Sequence, residues 1–225
     1  MKIIGLSGLA GAGKDLFYDL CSEELKKRSH IACSLALAAE LKRECMPTIK
    51  TMFNIDPTSC SREEKDKIRN YLVFFGHFRR KETKGQYWMV KANNKIKSLK
   101  RNCTINNVIN PICFITDVRY DEYPSDEVSW VQNHHSGLLV HLRKRQITIS
   151  ELGKRKDLYE EAINTHEREN DPKIRRKADV CIEWPNCRND KELIKKYLKP
   201  VVMKFIDQHI TPKEYAQKNM GQKKS

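Results

Sequence analysis

Residues Lys2 to Tyr18 read KIIGLSGLAGAGKDLFY, and this stretch decides the fold. An apolar run of Ile3, Ile4 and Leu6 leads into a glycine-rich turn, and Phe17, Leu20, Cys21 and Leu25 follow at helical spacing. The order predicts strand, loop and helix. Gly8, four residues, Gly13 and Lys14 match the phosphate-loop pattern, except that Asp15 stands where Ser or Thr ordinarily follows the lysine. In such a loop, successive backbone N–H groups and the positive end of the next helix hold an oligophosphate mainly by main chain. Gly8, Gly11, Ala12, Gly13, Lys14, Asp15 and Leu16 are therefore the expected donor contacts. Lys14 would lie along the β- and γ-phosphates of ATP, and Asp15 would offer Mg²⁺ an oxygen ligand. A plain tight turn is the competing reading, and the apolar strand before and the amphipathic helix after speak against it.

Working outward, 225 residues suit one domain of ordinary size, or one domain with an inserted subdomain. The expected division is a single domain over 1–210, with a helical insert at about 40–105, a lid at about 143–177 and a basic tail over 211–225. Lys and Arg number 43 against 29 Asp and Glu, and the resulting charge of +14 calls for an acidic partner, nucleic acid or small phosphorylated molecules. Eight cysteines form no CxxC pair and no Cys/His ligand spacing, which fits a reduced setting. The chain opens directly into the phosphate loop without a leader pattern and has no run of 18 apolar residues, so a soluble, cytoplasmic protein without a membrane partner is expected.

Apolar runs of strand character recur at Lys2–Ser7, His30–Leu35, Ile112–Thr116, Leu138–Leu142 and Val180–Trp184, separated mostly by segments of helical period. This alternation predicts an α/β fold: a three-layer parallel sheet with helices on both faces. In the insert, Ser61 and Glu64 form a capping box ahead of Ile68, Tyr71, Leu72 and Phe75, and a second helix carries Met89, Ala92, Ile96 and Leu99 on one face. Lys65, Arg69, Arg79, Arg80 and Lys81 lie on the opposite faces, where they either close over an anion or form a solvated basic surface. A last packing helix is expected from an N-cap at Asn189 through Phe205.

Thr116-Asp117-Val118-Arg119 falls at the carboxyl end of the third run, the edge where doubly wound sheets present ligand-contacting residues. Asp117 would hold Mg²⁺ through water or orient an attacking phosphate, and Arg119 would take a phosphate in bidentate fashion; a structural salt bridge is the alternative. Arg143, Arg145, Arg168, Arg175 and Arg176 are the candidates for shielding the transferred phosphoryl, with Arg143 taken as the catalytic one beside Lys14 and Asp117. His166 reads as a lid or hinge hydrogen-bonder, because a phosphate acceptor has no proton to surrender.

Together these residues resemble the bacteriophage deoxynucleoside monophosphate kinases and, more distantly, the wider phosphate-loop nucleoside monophosphate kinases. The resemblance rests on Gly11-Ala12-Gly13-Lys14-Asp15, on Leu37-Ala38-Ala39-Glu40-Leu41-Lys42, on Ile68-Arg69 through Gly76 to Trp88, on Asp117-Val118-Arg119, and on His166-x-x-Glu169. It implies a phosphate-loop kinase fold, ATP with Mg²⁺ as donor, and a deoxynucleoside 5′-monophosphate as acceptor, supplying precursors for DNA synthesis in the host cytoplasm. By position it also implies that Lys42, Arg69, Gly76, Trp88, Asp117 and Arg119, with His166 and Glu169, line the acceptor side. Small nucleotides are then the partners, with nucleic acid no substrate and a homodimer one possible state. Leu16 departs from the family threonine, and Arg79-Arg80-Lys81 is unusually basic. Competing readings are a small-metabolite kinase of the dephospho-coenzyme A kinase type, which usually has Ser or Thr at position 15, a nucleic-acid-stimulated ATPase, and a nucleotide-binding adaptor.

Overall fold

A computed structural model describes residues 1–149, 155–187 and 190–211. The predicted strand, loop and helix form as β1 (Lys2–Ser7) and α1 (Lys14–Lys27). The remaining elements are β2 (Ala32–Leu35), α2 (Leu37–Phe53), α3 (Arg62–Glu82), α4 (Gln86–Ile105), β3 (Ile112–Val118), α5 (Glu127–Ser129), β4 (Leu138–Ile149), β5 (Arg155–Tyr159), α6 (Thr165–Lys177) and β6 (Val180–Pro185). A helical stretch over 191–210 ends the described chain.

The strands β2, β3, β1, β4 and β6 lie side by side, all parallel, so the fold is the expected α/β sheet with helices on both faces. Parallel strands need covering on both sides, which explains why β1 buries every residue from Ile3 to Ser7 instead of alternating. One core cluster joins β1, β4 and β6 to α1 and the C-terminal helical stretch through Phe17, Leu142, Trp184 and Phe205. A second cluster, on the other face, packs Ile3, Ile115 and Leu139 against Met89, Ala92 and Ile96 of α4. In the insert, Ile68 and Leu72 of α3 meet Cys45 and Ile49 of α2 in a small third cluster. The Ser61–Glu64 capping box forms in both directions and sets where α3 begins.

Two regions differ from the sequence expectation. β4 continues seven residues past Leu142, and its far end pairs antiparallel with β5 in the register Arg145↔Tyr159 and Gln146↔Leu158. The charged residues of that stretch mask the strand period, so a polar lid is read where a hairpin arm stands. Residues 150–154 of the expected lid, the N-cap assigned to Asn189, and 212–225 of the expected tail lie outside the described residues. Asp190 caps the final helical stretch, accepting from the backbone N–H groups of Glu192 and Leu193.

Arg80 is the second difference. It does not join a solvated face but is buried, paired with Asp126 through both carboxylate oxygens at 2.7 and 2.9 Å and with Glu127 at 3.4 Å, while its guanidinium stacks 3.6 Å from the Tyr120 ring centre. Its charge survives burial because the Asp126 hydrogen bonds and the charge of Glu127 outweigh the loss of hydration and raise its pKa. This pairing ties the insert to the segment after β3.

Candidate functional site

The phosphate loop is shaped by close approach. Gly8 has φ of +127°, and a Cβ there would lie 2.3 Å from the Leu142 carbonyl oxygen of β4. Gly13 has φ of +88°, and a Cβ there would lie 2.7 Å from Trp184, whose indole N–H donates to the Ala12 carbonyl at 3.0 Å. Neighbouring backbone and an aromatic wall therefore leave room for glycine alone. Ala12 is buried in the core behind the loop, and Leu16 packs against the same core.

Lys14 opens α1, is only 8% exposed, and donates from Nζ to the carbonyls of Gly8 at 2.7 Å and Leu9 at 2.9 Å. Burial, and after it the charge of Arg119, lower its pKa to about 8, against the opposing pull of Asp117, Glu167 and Asp15. Asp15 is exposed in the first turn of α1 and makes no hydrogen bond or ion pair to another described residue. A free carboxylate beside the loop fits a hard divalent cation such as Mg²⁺, which favours oxygen donors. Asp117 fits one less well, since its oxygens accept the backbone N–H groups of Leu37 at 2.6 Å and Ala38 at 2.8 Å. It thus caps α2, whose N-cap residue Ala36 has no side chain to do so.

Asp117 thereby holds the start of α2, the helix that carries Lys42. Lys42 of α2, Arg69 of α3 and Arg119 after β3 are all near enough to Lys65 of α3 for their charges to act on it. The Lys65 pKa is lowered first by lost hydration and then by the charges of Lys42, Arg69 and Arg119. The charge of Arg119 acts on both Lys65 and Lys14. Its backbone N–H donates to the buried Glu127 carboxylate at 2.6 Å, and its Nη1 pairs with Glu167 at 2.9 Å. Arg69 pairs with Asp66 on its own helix at 2.5 Å.

The other expected residues have these surroundings. Trp88 is buried and its indole reaches the Gly76 carbonyl at 3.4 Å, while Gly76 faces Leu41; together they close the packing of α2, α3 and α4. His166 stands with its ring centre 4.2 Å from His77 and 4.6 Å from Tyr120, linking α6 to α3. Burial, followed by the charge of His77, lowers the His166 pKa, and its Nε2 meets no hydrogen-bond partner among the described residues. Glu169 is exposed.

Between the loop and α6 runs a cleft of about 200 Å³ lined by Leu9, His141, Arg143, Glu160, Glu167 and Arg168, among others. Arg143 is held there by Glu183 at 2.8 Å and lies 3.6 Å from the centre of the Tyr159 ring. Arg175 lines the same cleft, whereas Arg176 is exposed and is not among its lining residues. His141, fully buried at the end of the β1-pairing stretch of β4, hydrogen-bonds Asp171 of α6 at 2.9 Å. Glu160, Glu167, His141 and His77 were not singled out from the sequence. For Glu167 a signal exists, since Asn164 three residues earlier is the N-cap of α6 and accepts its backbone N–H.

No protein-family model matches the chain, and no curated protein matches it in sequence. Among solved structures it is similar to a dephospho-CoA kinase from Campylobacter jejuni, at 15% identity, over 92% of this chain and 98% of that one, with a TM-score of 0.42.

Proposed function

We propose that this chain is an ATP-dependent phosphotransferase whose acceptor is a nucleoside 5′-monophosphate, with deoxynucleotides as the favoured class. One observation carries the reading: Lys42 of α2, Lys65 and Arg69 of α3 and Arg119 after β3 form one cationic cluster, and the charge of Arg119 acts on Lys14 of the phosphate loop as well. A second anion-binding station beside the first is what transfer between two phosphates requires. The deoxynucleotide preference rests on the sequence resemblance and on Asp15.

In this reading the loop N–H groups and Lys14 hold the donor oligophosphate, while Arg119, Arg69 and Lys42 hold the acceptor phosphate. Mg²⁺, when bound beside Asp15, supplies neutralisation of donor charge. Lys14 leaves the Gly8 and Leu9 carbonyls and sets its ammonium against the donor phosphates, whose negative charge holds the proton on it. Arg143 and Arg168 shield the transferred group from the cleft side, and α6 excludes water. Positioning and charge neutralisation do the work, and no general base is needed for a phosphate acceptor.

A hydroxyl acceptor, as in a kinase of the dephospho-coenzyme A type, is the second reading. It is favoured by the His141–Asp171 pair on the cleft, since an imidazole held by a carboxylate is a general-base arrangement. ADP formation with each deoxynucleoside and ribonucleoside monophosphate, and with dephospho-coenzyme A, separates the two. Turnover dependent on monophosphates supports the first reading; turnover only with the hydroxyl acceptor replaces it.

A further inference from the structure

We propose that Glu167 is an internal stand-in for the acceptor phosphate, a carboxylate on α6 that occupies Arg119 and must be displaced before a phosphate monoester can bind. The inference rests on the reading of Arg119 as an acceptor-phosphate ligand. Glu167 sits in the first turn of α6, where the Asn164 cap fixes its backbone, and its Oε1 lies 2.9 Å from Arg119 Nη1. Its side chain is 11% exposed while that of Arg119 is 41% exposed, so the carboxylate is drawn in to meet an arginine that faces the opening.

Its other oxygen, Oε2, is buried without a hydrogen-bond partner among the described residues. A buried carboxylate satisfied on one side only is a poor resting place for a charge, and an incoming dianion offers Arg119 a stronger and better-shaped partner. The charge of Glu167 also reaches Lys14, as that of a transferring phosphoryl group would. Glu160 stands the same way on the donor side. A Cβ at Gly11 would lie 3.2 Å from its Oε1, Lys144 pairs with it at 3.3 Å, and its Oε2 is likewise buried without a partner among the described residues.

Displacement would couple acceptor binding to movement of α6, because that helix is held to the sheet by Asp171 on His141 and to the insert by His166 on His77. Glu167 therefore acts as a positioning residue: it keeps Arg119 extended toward the site and sets a threshold that a dianionic phosphate passes more easily than a singly charged ligand.

The test is calorimetric titration of the whole chain at low salt with inorganic phosphate and, separately, with thymidine 5′-monophosphate. Glu167→Gln is expected to bind both about tenfold more tightly than the unaltered protein, and Glu167→Asp, which keeps the charge but withdraws it, to show a smaller gain. Glu161→Gln removes the same charge from the exposed segment just before α6 without touching Arg119 and is expected to change affinity less than twofold. If the nucleotide reading fails, the gain persists for inorganic phosphate while thymidine 5′-monophosphate adds nothing beyond it. No gain in either Glu167 variant, or an equal gain in Glu161→Gln, overturns the proposal.

Discussion

The two proposed anion stations are built in opposite ways. The loop from Gly8 to Lys14 is contiguous, made of backbone, and pressed into shape by the Leu142 carbonyl and the Trp184 ring. The cluster of Lys42, Lys65, Arg69 and Arg119 is made of side chains from α2, α3 and the end of β3, and nothing in the main chain defines it. A backbone site is pre-organised before a ligand arrives, whereas a side-chain site of like charges repels itself and is completed by the anion it binds. The first resists substitution by geometry, the second by charge.

The largest effect is expected from removing the charge of the loop station. Lys14→Ala should lower turnover by about 10³-fold or more with little change in melting temperature, because its loss leaves the donor phosphates unshielded. A variant with near-normal turnover would break the contrast at its donor end.

Next comes the clamp that ties the insert to the segment after β3. Arg80→Ala leaves Asp126 and Glu127 buried without their cation and should cost about 3–5 kcal/mol in denaturant unfolding. Gly8→Ala should cost about 2–3 kcal/mol, from a left-handed φ and a Cβ driven against the Leu142 carbonyl. If Gly8→Ala unfolded at the normal denaturant concentration, the loop would not be held by close approach as described.

The smallest expected effect is on pH dependence. The ligand-free Lys14 pKa is lowered to about 8, below its ordinary value, so its ammonium is fully present below that pH and lost above it. Affinity for ATP should therefore fall as pH rises through about 8, by at most tenfold per pH unit, with a proton taken up on binding in that range. Affinity unchanged from pH 7 to 9.5 would show that Lys14 keeps its proton throughout.

The same contrast explains what the sequence could tell. The loop and the parallel sheet were legible because glycine spacing and apolar runs are local signals, and Ser61 with Glu64 marked the start of α3 for the same reason. Arg80 was not legible: its partners lie more than forty residues away, and on its own helix it looks like its solvated neighbours Arg79 and Lys81. The hairpin of β4 and β5 was hidden by charged residues that satisfy strand geometry at a sheet edge without apolar alternation. Glu167 was not singled out because its partner Arg119 lies 48 residues away, and only the cap at Asn164 marks its place in the first turn of α6.

The separation of the two stations is tested most directly by initial-rate kinetics with both substrates varied, for Arg69→Ala and Arg119→Ala. The expected result is an acceptor KM raised about 10- to 100-fold with the KM for ATP within twofold of normal. Loss of ATP affinity with an unchanged acceptor KM would contradict the account and exchange the two sides.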